Sequence, residues 1–208
     1  MQSISINLRM EPAVKLVCGM LFSVLLLSGC TGTAPTIKSE TSPTQASSDD
    51  PQLHKHFNAA VALMRQDDYA KAKVSLQALI EQNPRLAGPY INLGIIQLNE
   101  GNPDKAAESF TAAIGLKPDS LPAHNQLGVA LRMQGKFHQA EQTYHSALKI
   151  EPDYLLAHRN LGILYDLYLG KPKLALQHYK RCQTLRSTKD KEIEGWILDL
   201  ERRIKSSK

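Results

Sequence analysis

The chain has 208 residues, of which 42% are apolar and 22% are charged, and it carries a formal net charge of +5. This length suits one domain with a packed core. Eleven Pro and twelve Gly exclude a collagen-like chain, and the apolar share excludes a wholly disordered one. The three cysteines, Cys18, Cys30 and Cys182, lack the close spacing that disulfide frameworks, zinc sites and redox motifs need.

The N-terminal segment has the features of a secretory signal. Arg9 and Lys15 supply positive charge, and in residues 16–27 a single Ser is the only clearly polar interruption of an apolar run. A transmembrane helix needs about 20 apolar residues, so this run is too short to span a bilayer. We therefore expect residues 1–29 to be a removable signal peptide.

The end of the apolar run, Leu27-Ser28-Gly29-Cys30, resembles the lipobox of bacterial lipoproteins. The resemblance implies that the thiol of Cys30 is acylated and that Cys30 becomes the first residue of the mature chain. Thr31 differs from the Asp that typically retains such proteins at the inner membrane, which favours the outer membrane of a Gram-negative bacterium, facing the periplasm. The alternative is that Cys30 stands by chance beside an ordinary cleavage site.

The next segment, residues 30–50, is predicted to be a disordered tether. Ser, Thr and Pro occupy 11 of the 20 positions from 31 to 50, and Ile37 is the only large apolar residue there. Such a segment has no apolar face to bury. Signal cleavage would leave Cys182 as the only thiol that is not acylated, and we expect it to be buried as a small hydrophobe.

From residue 51 the sequence repeats. Pro84, Pro118 and Pro152 follow one another at intervals of 34 residues, and each closes a similar phrase. If each repeat is counted from the residue 31 places before its Pro, position 8 is always small, position 20 is Ala, and position 24 is large in all four repeats. The repeats cover about 53–86, 87–120, 121–154 and 155–186, within residues 51–186.

This pattern resembles the tetratricopeptide repeat, a helix–turn–helix unit of 34 residues. The physical basis is that antiparallel helices approach closely only where side chains are small, so Gly128 and Ala140 belong at the crossing, with Tyr144 filling the space beyond it. The turns fall at Asp67, Gly101 and Gly135, residue types that tolerate a left-handed conformation.

The fourth repeat diverges, and a further helix follows it. Gly170 comes one residue late, which predicts a longer or bulged first helix, and no Pro closes the unit. Residues 187–208 are predicted to form a capping helix and a basic tail, with Ser187 and Asp190 placed as in a capping-box variant. The apolar residues of this helix stand at helical spacing and are Ile193, Trp196, Ile197, Leu200 and Ile204. The predicted fold is all-α, a right-handed tetratricopeptide-repeat superhelix of four helix–turn–helix repeats plus a C-terminal capping helix.

In this family the first helices line a concave face, with positions 2, 5, 9, 12 and 13 exposed on it. On that pattern the groove is mostly apolar, with Arg132 and Arg159 towards its C-terminal half. The predicted groove residues are Phe57, Val61, Met64, Ile91, Ile95, Leu98, Asn125, Val129, Arg132, Met133, Arg159, Ile163 and Leu167. Two interpretations are open: these side chains pack on neighbouring helices, or they form a groove for a partner helix or extended segment.

Other classes of site find little support. The carboxylate clamp of chaperone-binding members needs Lys and Asn where this chain has Phe57 and Val61. The seven His are scattered, with His124 and His158 at one repeat position, so we predict no catalytic residue, no cofactor and no metal site. Asn92 and Asn160 are interpreted as structural.

Residues 171–208 contain 11 basic and 5 acidic residues, which indicates a solvated face or a surface for anionic lipid or an acidic partner, and nucleic acid is not expected.

We therefore predict a non-enzymatic protein-binding scaffold that is held at the outer membrane by lipid on Cys30. In architecture it resembles pilotins of type IV pilus secretins and components of Tad pilus assembly. One alternative is an adaptor for peptidoglycan hydrolases or periplasmic proteases. Another is a structural envelope lipoprotein that associates with itself, and the sequence leaves its oligomeric state open.

Overall fold

A computed structural model describes residues 50–207 of the protein. The predicted signal peptide, Cys30 and all of the predicted tether except Asp50 lie outside the described residues. Between residues 50 and 207 the fold is entirely helical, and none of these helices is long and apolar enough to cross a membrane.

The described part contains nine helices in four antiparallel pairs followed by a single helix. They are α1 (Pro51–Arg65), α2 (Tyr69–Gln82), α3 (Ala87–Asn99), α4 (Pro103–Leu116), α5 (Leu121–Met133), α6 (Phe137–Ile150), α7 (Leu155–Leu167), α8 (Pro172–Leu185) and α9 (Lys191–Ser206). Each helix packs on the one before it, so the chain forms a superhelix built from neighbouring contacts.

The turns inside the repeats have the predicted left-handed backbone. Asp67, Gly101 and Gly135 have φ values of 59°, 76° and 75°. After each of these residues only one more residue precedes the second helix, so the turn reverses the chain within a very short segment. The prediction of these turn residues is confirmed.

The helices of a pair meet where position 8 faces position 24. A Cβ added to Gly94 would lie 2.6 Å from the Phe110 ring, and one added to Gly128 would lie 2.4 Å from the Tyr144 ring. Tyr144 therefore lies directly against Gly128, and Ala140 beside it is fully buried. The small residues allow the close helix approach that the sequence predicted.

The fourth repeat departs from its prediction. Helix α7 has 13 residues, as α3 and α5 have, so the expectation of a longer or bulged first helix is wrong. The extra residue lies in the connection between α7 and α8, where Gly170 has a φ of 60°. The connection absorbs the insertion because lengthening α7 would rotate α8 away from its packing partners.

Helix α9 covers the end of the superhelix. Ile193 and Leu200 are fully buried, and the ring of Trp196 lies 5.0 Å from that of Tyr179. The predicted capping arrangement is corrected, because Asp190 itself is the N-cap and its side chain accepts hydrogen bonds from the backbone N–H groups of Glu192 and Ile193. Ser187 lies in the preceding connection.

Candidate protein-binding groove

The first helices of the pairs line the inner face of the superhelix. Helix α3 approaches α5, and α5 approaches α7, whereas no two second helices of residues 50–207 make comparable contacts. Elements on the inside of a curved array lie closer together than those on the outside. The face formed by α1, α3, α5 and α7 is therefore the candidate groove.

A column of apolar side chains runs along this face. Val61, Ile95, Val129 and Ile163 stand at the same position of successive repeats, and all four are half-buried. Ile95 packs against the cluster around Phe110, and Val129 and Ile163 pack against the C-terminal core. Ile95, Val129 and Ile163 therefore pack on the core while remaining partly accessible, and the binding of a partner by this column stays a prediction.

The flanking groove residues differ in exposure. Phe57, Met64, Ile91 and Leu98 are half-buried and pack on the first and second repeats. Towards the C-terminal half the apolar surface opens, because Met133 is 49% exposed and Leu167 is 68% exposed.

Asn125 does not lie at the surface as the sequence prediction requires. It is 5% exposed, and its Oδ1 accepts a hydrogen bond of 2.8 Å from Nδ2 of Asn160 on the adjacent first helix. A buried amide needs such a partner, and the pair joins the third and fourth repeats. Asn92 likewise has a structural contact, since its Nδ2 donates to the carbonyl of Gly88.

Arg159 is held by the chain's own last helix. Its Nη2 lies 3.0 Å from Oε2 of Glu192, and its guanidinium lies 5.5 Å from the centre of the Trp196 ring. Both partners come from α9, which reaches across to α7. This contact was missed from the sequence because residues 159 and 192 are far apart in the chain and no repeat spacing links them.

Arg132 lies at the end of α5 and contacts the connection after α7. Its Nη1 donates a hydrogen bond of 3.2 Å to the hydroxyl of Tyr168, and its guanidinium lies 5.5 Å from the centre of the Tyr168 ring. Tyr168 also packs on Phe137 at 4.9 Å between ring centres. The guanidinium is therefore oriented at the edge of the groove.

A recurring bond between repeats was also missed. Tyr90 donates to the carbonyl of Pro84, and Nε2 of His124 and of His158 lies within 2.9 Å of the carbonyls of Pro118 and Pro152. Because a carbonyl only accepts, both imidazoles carry their proton on Nε2. In the second, third and fourth repeats the side chain at position 4 thus donates a hydrogen bond to the proline that ends the previous repeat. The constant spacing of six residues between this position and the proline could have predicted the bond from the sequence.

Two titratable groups with strongly shifted pKa values, His178 and Cys182, lie in the C-terminal repeats. Nδ1 of His158 lies 2.9 Å from Nδ1 of His178, and burial lowers the pKa of His178 to about 4. Cys182 is fully buried as predicted, and burial raises the pKa of its thiol to about 11. In residues 50–207 no group of three or more His, Cys, Asp or Glu side chains is arranged to hold a metal ion.

An open depression of about 710 Å³ lies between α4, α5 and α6, away from the predicted groove. Its lining combines polar side chains such as Asp104, Glu108 and Gln139 with the apolar side chains of Leu127 and Leu131. No sequence signal indicates it, because its lining is divided among three helices and one connection.

Comparison of the sequence with models of known protein families gives the same repeat architecture. Two models of the tetratricopeptide repeat family match the chain, one over residues 57–121 and the other over residues 119–188. Together they span more than half of its length. The chain belongs to the tetratricopeptide repeat family. Domains of this family bind protein or peptide partners.

Solved tetratricopeptide-repeat structures share this fold at low sequence identity. PilF of Pseudomonas aeruginosa is 20% identical with a TM-score of 0.67, and the match covers 74% of this chain and 69% of PilF. TTC0263 of Thermus thermophilus is 23% identical with a TM-score of 0.61, covering 73% of this chain and 82% of its own. YrrB, described as having an unusual peptide-binding site, is 17% identical with a TM-score of 0.58, covering 72% of this chain and 74% of its own. No curated protein matches the chain in sequence.

Proposed function

We propose that this protein is a non-enzymatic scaffold that binds a protein segment in its concave groove. We further propose that lipid on Cys30 anchors it to the outer membrane, facing the periplasm, where it assists assembly of an envelope complex such as a type IV or Tad pilus and its secretin. The anchor and the envelope role rest on the lipobox resemblance and on the architecture inferred from the sequence.

The observation that carries the binding function is the partly exposed apolar column on consecutive first helices. Ile95 and Val129 are half-buried, and Met133 and Leu167 extend the apolar surface into solvent. A contiguous apolar surface of this kind is typical of a site for a partner helix or extended segment.

Introducing charge into the column tests the groove. Replacing Ile95 and Val129 together by Asp should abolish partner capture, because a carboxylate that meets water in the unbound protein is desolvated against an apolar partner. The double variant should keep its helical content but melt at a lower temperature, because both side chains also pack on the core on one side. The measurement is crosslinking in whole cells with identification of the crosslinked proteins, together with a circular dichroism melt.

Val74→Asp is the matched control, because Val74 is 67% exposed on α2 and lies outside the groove. It makes one of the two changes, Val to Asp, at an exposed position on a second helix and should leave capture intact. Unfolding of the double variant, or undiminished capture by it, would exclude the groove. Crosslinks to wall hydrolases or proteases would favour the adaptor hypothesis, and crosslinks only to copies of the chain would favour self-association.

The anchor has a separate test. Cys30→Ser should leave a precursor or a protein that no longer sediments with outer membrane, because acyl chains contribute about 0.8 kcal/mol per buried methylene and the polar tether contributes nothing comparable. Membrane fractionation at high salt measures this. Continued sedimentation of the variant in cells without its partners would locate the anchor elsewhere.

A further inference from the structure

Three guanidinium groups near the inner face of the C-terminal half differ in their charge partners. Arg159 pairs with Glu192, and Arg203 pairs with both Asp166 and Asp199. For Arg132, no carboxylate of residues 50–207 lies within ion-pair distance. It contacts Tyr168 instead, through the hydroxyl and the face of the ring.

Arg159 is an example of an arginine on this face that contacts both an aromatic ring and a carboxylate. Trp196 covers the guanidinium at 5.5 Å, and Glu192, one helical turn earlier on α9, supplies the carboxylate at 3.0 Å. Arg132 has the aromatic partner at the same 5.5 Å and lacks the carboxylate. A helix lying against the groove would be able to supply it, as α9 does for Arg159.

The surroundings of Arg132 favour an anionic partner. Asp166, the equivalent residue of the next repeat, is already paired with Arg203, and its side chain is only 10% exposed. Met133 and Leu167 beside this region are exposed and apolar. A half-buried guanidinium next to apolar surface forms a stronger hydrogen bond with a carboxylate than with a neutral group.

We propose that Arg132 binds the carboxylate of an Asp or Glu side chain in the protein segment that occupies the groove, a proposal that rests on the proposed function. The occupant is thus an apolar segment that carries an acidic residue facing the end of α5. A side-chain carboxylate fits better than a chain terminus, because the apolar column continues on both sides of Arg132, through Ile95 and Leu98 in one direction and Ile163 in the other. The segment should therefore extend past Arg132 in both directions.

The test uses a random-peptide display library in which the C-terminus of each peptide is fused to the carrier, so that no peptide has a terminal carboxylate. Peptides retained by the full chain should combine apolar residues with at least one Asp or Glu. Binding of an amidated synthetic copy should weaken about tenfold or more when its acidic residue is changed to the amide, since hydrogen bonds to charged groups are worth more than neutral ones. Arg132→Gln should weaken the acidic peptide by a similar factor and leave its amide version unaffected.

Arg85→Gln is the matched control, because Arg85 is exposed between the first two repeats and lies outside the groove. Arg132→Lys keeps the charge and the apolar stem but loses the planar fork, so it should retain a weaker preference for the acidic peptide. A circular dichroism melt of each variant separates lost binding from lost folding, and Arg132→Lys carries the test if Arg132→Gln does not fold.

Three outcomes would overturn the proposal: selection of peptides without acidic residues, equal binding of the acidic peptide by Arg132→Gln and the wild type, and a preference for acid that appears only in a library with unblocked C-termini. If those peptides still lose binding with Ile95→Asp and Val129→Asp, the groove stands and only the assignment of Arg132 fails. A library from which the wild type retains nothing would count against both.

Discussion

In the first repeat the helices cross at Ala60 and Leu76, whereas in the third and fourth repeats a glycine meets a tyrosine at the equivalent positions. Leu76 and Tyr144 are both fully buried, so in each repeat a small residue on one helix accommodates a large residue on the other. Different pairs are possible because tight packing constrains the summed volume of facing side chains more than the identity of either one. It also makes the C-terminal repeats dependent on the absence of a single Cβ.

The two regions differ in polarity as well. Apolar residues dominate the core of the first repeat, whereas the third and fourth repeats are joined by the Asn125–Asn160 pair, and the fourth repeat contains the contact of His158 with His178. Hydrogen bonds in such an interface add specificity, but they also make its stability sensitive to protonation. Overpacking and acid should therefore act most strongly on the C-terminal repeats.

Gly128→Ala should cause the largest loss of folding stability, because it disrupts the helix crossing at which a glycine meets a tyrosine. The new methyl group would lie 2.4 Å from the fully buried Tyr144 ring, and overpacking of this kind costs about 1–3 kcal/mol. Because the ring is fully buried, the overpacking cost should be near 3 kcal/mol, and the gain of about 1 kcal/mol in helix propensity on replacing glycine by alanine leaves a net loss of about 2 kcal/mol. Urea unfolding monitored by circular dichroism measures the change.

Two further variants sharpen this test. Gly115 is also helical, but no atom lies within 4 Å of an added Cβ there, so Gly115→Ala should stabilise the protein by about 0.5–1 kcal/mol. Combining Gly128→Ala with Tyr144→Leu recreates the first repeat's pair, and the double variant should lose less than the sum of the two single losses. Strict additivity, or no loss for Gly128→Ala, would show that this crossing is not tightly packed.

Features that repeat along the chain could be predicted, and features that join distant elements could not. The spacing of Gly128 and Tyr144 identified the crossing, and Asp67, Gly101 and Gly135 identified the turns. Both follow from backbone and packing rules that act within one repeat. The prediction of which side of each first helix faces the groove depends on the same repeat spacing.

The errors arose where several local choices were equally acceptable. Ser187 and Asp190 are both good N-caps, and the structure uses Asp190 because α9 must place Ile193 and Leu200 against α8. Asn125 has the spacing of an exposed groove residue, but Asn160 on the next helix pairs with it and both amides become partly or fully buried. Such pairings depend on where neighbouring elements meet, which the sequence of either element alone does not specify.

A polar cluster of His145, His158, Tyr165 and His178 lies between α6, α7 and α8 and should make stability depend on pH. His178 on α8 faces His158 and Tyr165 of α7, and the pKa of His178 falls to about 4 because of burial first and then the neighbouring imidazoles His158 and His145. His158 uses its Nε2 proton on the Pro152 carbonyl, so its Nδ1 accepts and His178 donates. Burial, rather than this hydrogen bond, therefore keeps the His178 imidazole neutral in the folded chain.

The other groups that face this cluster balance one another. The hydroxyl of Tyr165 accepts from His145 and donates to Glu141, which also lies 3.4 Å from Lys171. Hydrogen bonds from Tyr165 and Lys171 leave the pKa of Glu141 lowered despite the opposing effect of its burial, so Glu141 stays ionised in mild acid. In the folded chain His178 stays neutral until the pH approaches about 4, whereas in the unfolded chain it takes up a proton near pH 6.5.

His178→Gln should reduce the loss of stability in mild acid. The unfolded chain binds a proton near pH 6.5 and the folded chain only near pH 4, so the stability contributed by neutral His178 is present above about pH 6.5 and is lost as the pH falls towards 4. Because His178 is partly accessible to solvent, we expect about 1–2 kcal/mol rather than the full value of the shift. Glutamine retains a donor for His158 but does not titrate, and urea unfolding at about pH 7 and about pH 5 compares the two proteins.

His124→Gln is the matched control, since His124 has the same repeat position as His158 and bonds to the Pro118 carbonyl, and it should leave the acid sensitivity unchanged. Equal acid sensitivity of the wild type and His178→Gln would show that the C-terminal repeats do not owe their response to this histidine, and the contrast between the two ends of the superhelix would then be one of packing alone.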